Sequence, residues 1–105
     1  MGGSRLSSAE CRAAAAFILD SARARDQGLA VGPFMTRLQA DMLALASQPP
    51  AQRWFLHGPG EALLLYRAAT DIYRRPVDAS SHQRDFMRHC ENLRLSLPAS
   101  GITPR

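Results

Sequence analysis

Few residues in this chain carry chemistry: two cysteines, Cys11 and Cys90, three histidines, His57, His82 and His89, and 13 basic residues that are all arginine. The tetrapeptide His57-Gly58-Pro59-Gly60 has the make-up of a ligand-holding loop. A catalytic histidine needs a nucleophile or an acid beside it, and neither a serine nor a carboxylate stands in a recognised sequence relation to His57. Glycine relaxes the backbone, proline pre-sets φ, and Glu61 suits the positive end of a new helix. The stretch therefore reads as the break between two helices.

Metal chemistry fails on spacing. His82 and His89 are seven residues apart, about 10 Å along a helix axis, and cannot share one ion. His89 and Cys90 are adjacent and point about 100° apart. CxxC, HExxH and a histidine pair at i,i+4 are all missing. Met35, Met42 and Met87 have the chemistry of haem ligands, but without CxxCH they read as core filler. A Cys11–His89 nucleophile pair is void if the cysteine is oxidised. Neither GxSxG nor GxxxxGK[ST] occurs. The expectation is a protein without metal, cofactor, small-molecule substrate or catalysis.

The arginines admit binding roles. Asp71 stands four residues from both Arg67 and Arg75, an ion-pair ladder on a helix face. Arg74, Arg75, Arg84 and Arg88 would make a phosphate-binding patch, the basis of an alternative reading as a cytosolic nucleic-acid binder. Asp71, Asp78, Asp85 and Glu91 are interspersed with them, which favours a charge-mixed, solvated face. Arg53-Trp54-Phe55, and Tyr66 or Tyr73 with Arg74-Arg75, have the composition of interface hot spots. Arg53, Trp54, Tyr73, Arg74 and Arg75 are thus the expected partner-binding residues, against the competing reading that Trp54 and the tyrosines are core.

These residues must be held by helices. The chain of 105 residues is 46 % apolar and 21 % charged, an ordinary balance for one globular domain with a thin core. Abundant alanine and scarce β-branched residues favour helix. Ser7-Ser8-Ala9-Glu10 fits a capping box, and Cys11, Ala15, Ile18 and Ala22 recur at helical spacing, predicting a helix over 8–26 that stops at Gly28. A second helix opens at Gly32-Pro33, carries Phe34, Leu38, Met42 and Leu45 on one stripe, and ends before Pro49-Pro50. Residues 51–57 form a short helical piece whose Trp54, Phe55 and Leu56 plug one end of the core. A third helix follows Gly58-Pro59-Gly60 with Ala62, Tyr66, Ala69 and Tyr73 on one face, flanked by Leu63, Leu65 and Ile72, and stops before Pro76. A fourth runs from Ser80 or Ser81 to Leu95 with Phe86, Cys90 and Leu93 together. The fold expected is all-α, a four-helix up-down bundle. Residues 8–96 are its single domain, 1–7 a cloning remnant and disordered start, and 97–105 a flexible tail. No run of about 18 apolar residues exists to span a membrane.

In such a bundle the first and last helices are antiparallel neighbours. Cys11, early in the first, then meets Cys90, late in the last, and a disulfide would close the bundle. Disulfides persist in oxidising compartments, so a periplasmic or secreted protein is expected.

Cys11 in an Ala-rich helix, RDQG at 25–28, IYRRP at 72–76 and FMRHC at 86–90 resemble small two-cysteine helical proteins exported by Gram-negative bacteria. Some proteins of this type are immunity proteins that neutralise type VI secretion effectors. The resemblance spans residues 8–92 and implies a periplasmic helical bundle. It carries no functional residue over. With the residue pattern it leads to one expectation: an exported protein that binds another protein as inhibitor, immunity protein or adaptor.

Overall fold

The computed structural model describes residues 6–49 and 52–96. Helix α1, Ser8–Asp26, starts in a full capping box. Ser7 Oγ accepts the Glu10 N–H at 3.1 Å, and Glu10 Oε1 accepts the Ser7 N–H at 2.9 Å. The helix ends in a Schellman turn around Gly28, whose φ of 106° suits glycine. Its closing bonds run from the Gly28 N–H to the Arg25 carbonyl and from the Leu29 N–H to the Ala24 carbonyl.

Helix α2, Val31–Ala46, begins ahead of the expected Gly32-Pro33 start. Pro33 is accommodated in the first turn, where N–H groups have no intrahelical partner. Helix α3, Pro59–Arg74, has Gly58 as N-cap and Pro59 as its first residue, the punctuation expected of the sequence. Helix α4, Ala79–Ser96, is preceded by Asp78, whose carboxylate accepts the Ser81 N–H at 3.1 Å and the Ser81 hydroxyl at 2.7 Å. Those bonds, the hydroxyl first, hold the Asp78 carboxyl below the usual aspartate value. Leu6 is buried and Ser7 caps α1, so the domain takes in two residues assigned above to the disordered start. Residues 1–5, Pro50, Ala51 and the expected tail at 97–105 lie outside the described residues.

The protein is an all-α, up-down bundle. α1 packs on α4 and α3, α3 packs on α4, and α2 lies against α3. Contacts at both ends fix the directions. Near the start of α1, Glu10 meets His57, just ahead of α3; at its end, Arg25 meets Ile72 and His82, so α1 is parallel to α3 and antiparallel to α4. The core is Cys11, Ala14, Ala15, Ile18 and Ala22 of α1, Leu65, Ala69 and Ile72 of α3, and Phe86 and Cys90 of α4. The alanines let the helices approach. Each large side chain among them contributes on the order of 1.5–3 kcal/mol by burial.

Phe55 and Leu56 are buried and plug one end of this core, as expected for 51–57. The described part of that piece is a turn at 52–55 rather than a regular helix. The buried face of α3 is rotated from the expected one. It consists of Glu61, Leu65, Ala69 and Ile72, while Tyr66 is 39 % exposed. Leucine and isoleucine have no polar atom to satisfy and take the interior; tyrosine keeps its hydroxyl toward water.

Candidate functional site

Cys11 and Cys90 are joined, with their Cα atoms 5.7 Å apart and both side chains fully buried. The bond links the first turn of α1 to the last part of α4 across 79 residues of sequence. No free cysteine exists among the described residues. Cysteine is therefore unavailable as a nucleophile or metal ligand in this state, and the oxidised pair is compatible with an oxidising compartment.

At the opposite end of α1, Arg25 ties three segments together. Nη1 donates to the Ile72 carbonyl at 2.8 Å, in the last turn of α3. Nη2 donates to the Val77 carbonyl at 2.8 Å, in the α3–α4 linker. The Asp26 carboxylate balances the charge at 2.8 Å. Nη1 also lies 3.3 Å from His82 Nε2, which accepts the Val77 N–H at 3.3 Å. Because a backbone N–H can only donate, Nε2 carries no proton and the ring is the neutral Nδ1–H tautomer. Burial, and then the Arg25 charge, hold His82 below the ordinary imidazole value.

The α1–α2 turn joins the same end. Tyr73 donates its hydroxyl to the Leu29 carbonyl at 2.8 Å, and its ring packs on Phe34 at 5.4 Å. Burial lifts the Tyr73 phenol above its ordinary value, against the pull of Arg25. At this end Leu29, Val31 and Val77 are exposed by 38 %, 48 % and 41 %, and Arg74 and Arg75 at the end of α3 are exposed as well. Arg75 pairs with Asp71 at 3.6 Å, whereas Arg74 has no ion pair among the described residues. The sequence marked the arginines and Tyr73 here. The three aliphatic residues were missed, because nothing in a sequence shows that two loops meet at one bundle end.

Arg53 and Trp54 are placed elsewhere. Trp54 is half-buried, packing edge-on against Phe17 at 6.0 Å and Phe55 at 6.0 Å. Its φ of 58° is unusual for a non-glycine residue, and the two side chains that follow it, Phe55 and Leu56, are buried. Arg53 Nε donates to the Gln48 carbonyl at 2.7 Å, closing the loop. Phe17 and Arg25 are separated by about 12 Å along α1 at 1.5 Å per residue. The five expected partner residues therefore divide into a packing pair, Arg53 and Trp54, and an end group of Tyr73, Arg74 and Arg75.

The His57 loop does acquire a carboxylate. His57 Nε2 lies 2.6 Å from Glu10 Oε2, a contact across 47 residues that local spacing could not reveal. Ser7 Oγ is 3.2 Å from Glu10 Oε1. The order is serine–acid–histidine, with the acid in the middle. A nucleophilic triad needs the histidine in the middle to take the serine's proton. Here Glu10 completes a helix cap and pins the loop to α1.

The arginines of the nucleic-acid reading are largely engaged: Arg75 with Asp71, Arg88 with Asp85 at 3.0 Å, and Arg84 with the Ser81 hydroxyl at 3.1 Å. Among the described residues no group of three or more His, Cys, Asp or Glu is placed to hold a metal ion. No described helix is long and apolar enough to cross a membrane. Compared with protein-family models, with curated proteins and with solved structures, the chain matches none.

Proposed function

We propose that this is an extracytoplasmic binding protein, periplasmic or secreted, that engages another protein without catalysis, as an inhibitor, immunity protein or adaptor. The observation that carries the reading is one bundle end that presents exposed Leu29, Val31 and Val77 together with exposed Arg74 and Arg75 on a rigid base. Arginine is enriched at interface hot spots, exposed apolar side chains gain by burial, and a pre-organised base lowers the entropy cost of association. The Arg25 clamp and the Tyr73–Leu29 bond supply that base. The compartment rests on the Cys11–Cys90 bond. Non-catalytic action is supported by the engaged cysteines and by the acid-centred order of Ser7, Glu10 and His57.

The test uses a photoreactive side chain introduced at Val77 to trap the partner, followed by affinity measurement with the purified partner. Replacing Arg74 and Arg75 by glutamate is expected to weaken binding on the order of 100-fold or more, two hot-spot losses compounded. Unchanged affinity would reject this surface.

A further inference from the structure

We propose that the groove between α3 and α4 binds an aliphatic monocarboxylate, with Arg67 as the partner of its carboxylate. The groove encloses about 430 Å³ and is floored by Ile18 and Phe86. That volume lies within the roughly 300–1,000 Å³ of small-molecule sites. Its lining is graded. Toward the start of α3 and the end of α4 it is mostly apolar, built from Leu63, Leu64 and Leu93, with His89 the polar residue on the α4 wall between Phe86 and Leu93. Toward the end of α3 and the start of α4 it carries Arg67, Asp71, Arg75, His82 and Asp85. Such a gradient fits a molecule with a hydrocarbon tail and one polar head.

The sign of the head follows from the pairing of these charges. Arg75 is paired with Asp71, Asp85 with Arg88, and His82 is buried and neutral. Arg67 lines the groove, is exposed, and has no ion pair or side-chain hydrogen bond among the described residues. The Arg67–Asp71–Arg75 ladder expected from spacing is thus closed on one side only. One uncompensated guanidinium over an apolar floor matches one carboxylate, which arginine can hold through two parallel hydrogen bonds. The apolar end of the groove is bordered by Gly60 and Leu93. A Cβ at Gly60 would stand 3.6 Å from Leu93 Cδ1, an ordinary van der Waals spacing, so the glycine leaves the Leu93 side chain room at this end.

The groove wall shares Arg75 and Val77 with the proposed protein-binding surface, but Arg67 and the apolar floor lie outside that surface, and the test reads Arg67, so failure of one reading is distinguishable from failure of the other. Decanoate, decanol and decyltrimethylammonium are titrated into the oxidised protein while backbone amide shifts are followed. Decanoate is expected to shift amides of residues 63–68 and 82–93 and to bind about tenfold or more tightly than the alcohol or the ammonium, the worth of a charge-assisted contact. Lengthening from octanoate to decanoate should tighten binding by up to about fourfold per methylene. Arg67→Gln should reduce decanoate to the level of decanol with an unchanged unfolding midpoint, and Arg67→Lys should restore part of the difference. Equal binding of the three head groups would overturn the proposal. So would shifts centred on Trp54, no effect of Arg67→Gln, or no binding at millimolar concentration.

Discussion

Arg25 and His82 act as one unit, and their chemistry sets two expectations. The Arg25 guanidinium reaches carbonyls on two segments through separate nitrogens, a forked geometry that an ammonium cannot reproduce. Arg25→Ala is expected to cost about 2–3 kcal/mol, since two charge-assisted bonds to backbone carbonyls are lost, and Arg25→Lys is expected to recover only part of this. Urea unfolding midpoints check both. His82 is neutral when folded, with its proton affinity depressed by burial and then by Arg25. Above the ordinary imidazole value neither the folded nor the unfolded state is protonated there, so the group adds no pH dependence. As pH falls below about 6.5 the unfolded chain takes up the proton first, and stability is lost down to the lower folded value. His82→Gln keeps an acceptor for the Val77 N–H and removes the titration. Between pH 7 and pH 5 the variant is expected to lose less stability than the parent; an equal loss would show that His82 does not titrate as described. Little of this was legible in the sequence. Spacing argued against a metal ion shared by His82 and His89, but pairs such as Arg25–Val77 and Glu10–His57 depend on which helix ends come together.

Among the helices, α2 is held least firmly. It buries Phe34 and Leu38, leaves Met42 and Leu45 half-covered, and packs mainly on α3, whereas α1 buries residues toward both α3 and α4. Amides of α2 are therefore expected to exchange with solvent through a partial opening, ahead of those in α1 and α4. Phe34→Ala is expected to widen that difference, with a cost of about 3 kcal/mol or somewhat less from the lost packing on Tyr73. Equal protection across the four helices would mean that α2 belongs to the same cooperative unit. At this scale the sequence was informative, because helix boundaries follow local rules. The Ser7–Glu10 box, Gly28 beyond α1, and Gly58 and Pro59 at the N-cap and first position of α3 stand where capping chemistry requires them. The face of α3 was misplaced because alanine and tyrosine spacing competed with leucine and isoleucine spacing on one helix. Tertiary contact with Ile18 and Phe86, not periodicity, chose between them.

For the whole molecule, the Cys11–Cys90 bond is the largest single constraint on the unfolded chain. A closed loop across 79 residues is worth about 4.5 kcal/mol in the chain-entropy model. That is comparable to the entire stability of a small domain with a thin core. The pairing could be reasoned from up-down topology, since only neighbouring antiparallel helices bring those two positions together. The proposed partner surface could be reasoned only in part: the arginines stood out by type, while the exposed Leu29, Val31 and Val77 come to one end through two separate loops. The most direct measurement quenches the protein in acid from its native host, alkylates it under denaturing conditions without reductant, and weighs it intact. Neither cysteine should be modified, and reduction should both open two alkylation sites and lower the urea midpoint by the equivalent of several kcal/mol. Two alkylated thiols in the unreduced protein, or a midpoint indifferent to reduction, would contradict a bundle closed by its own sulfurs outside the cytoplasm.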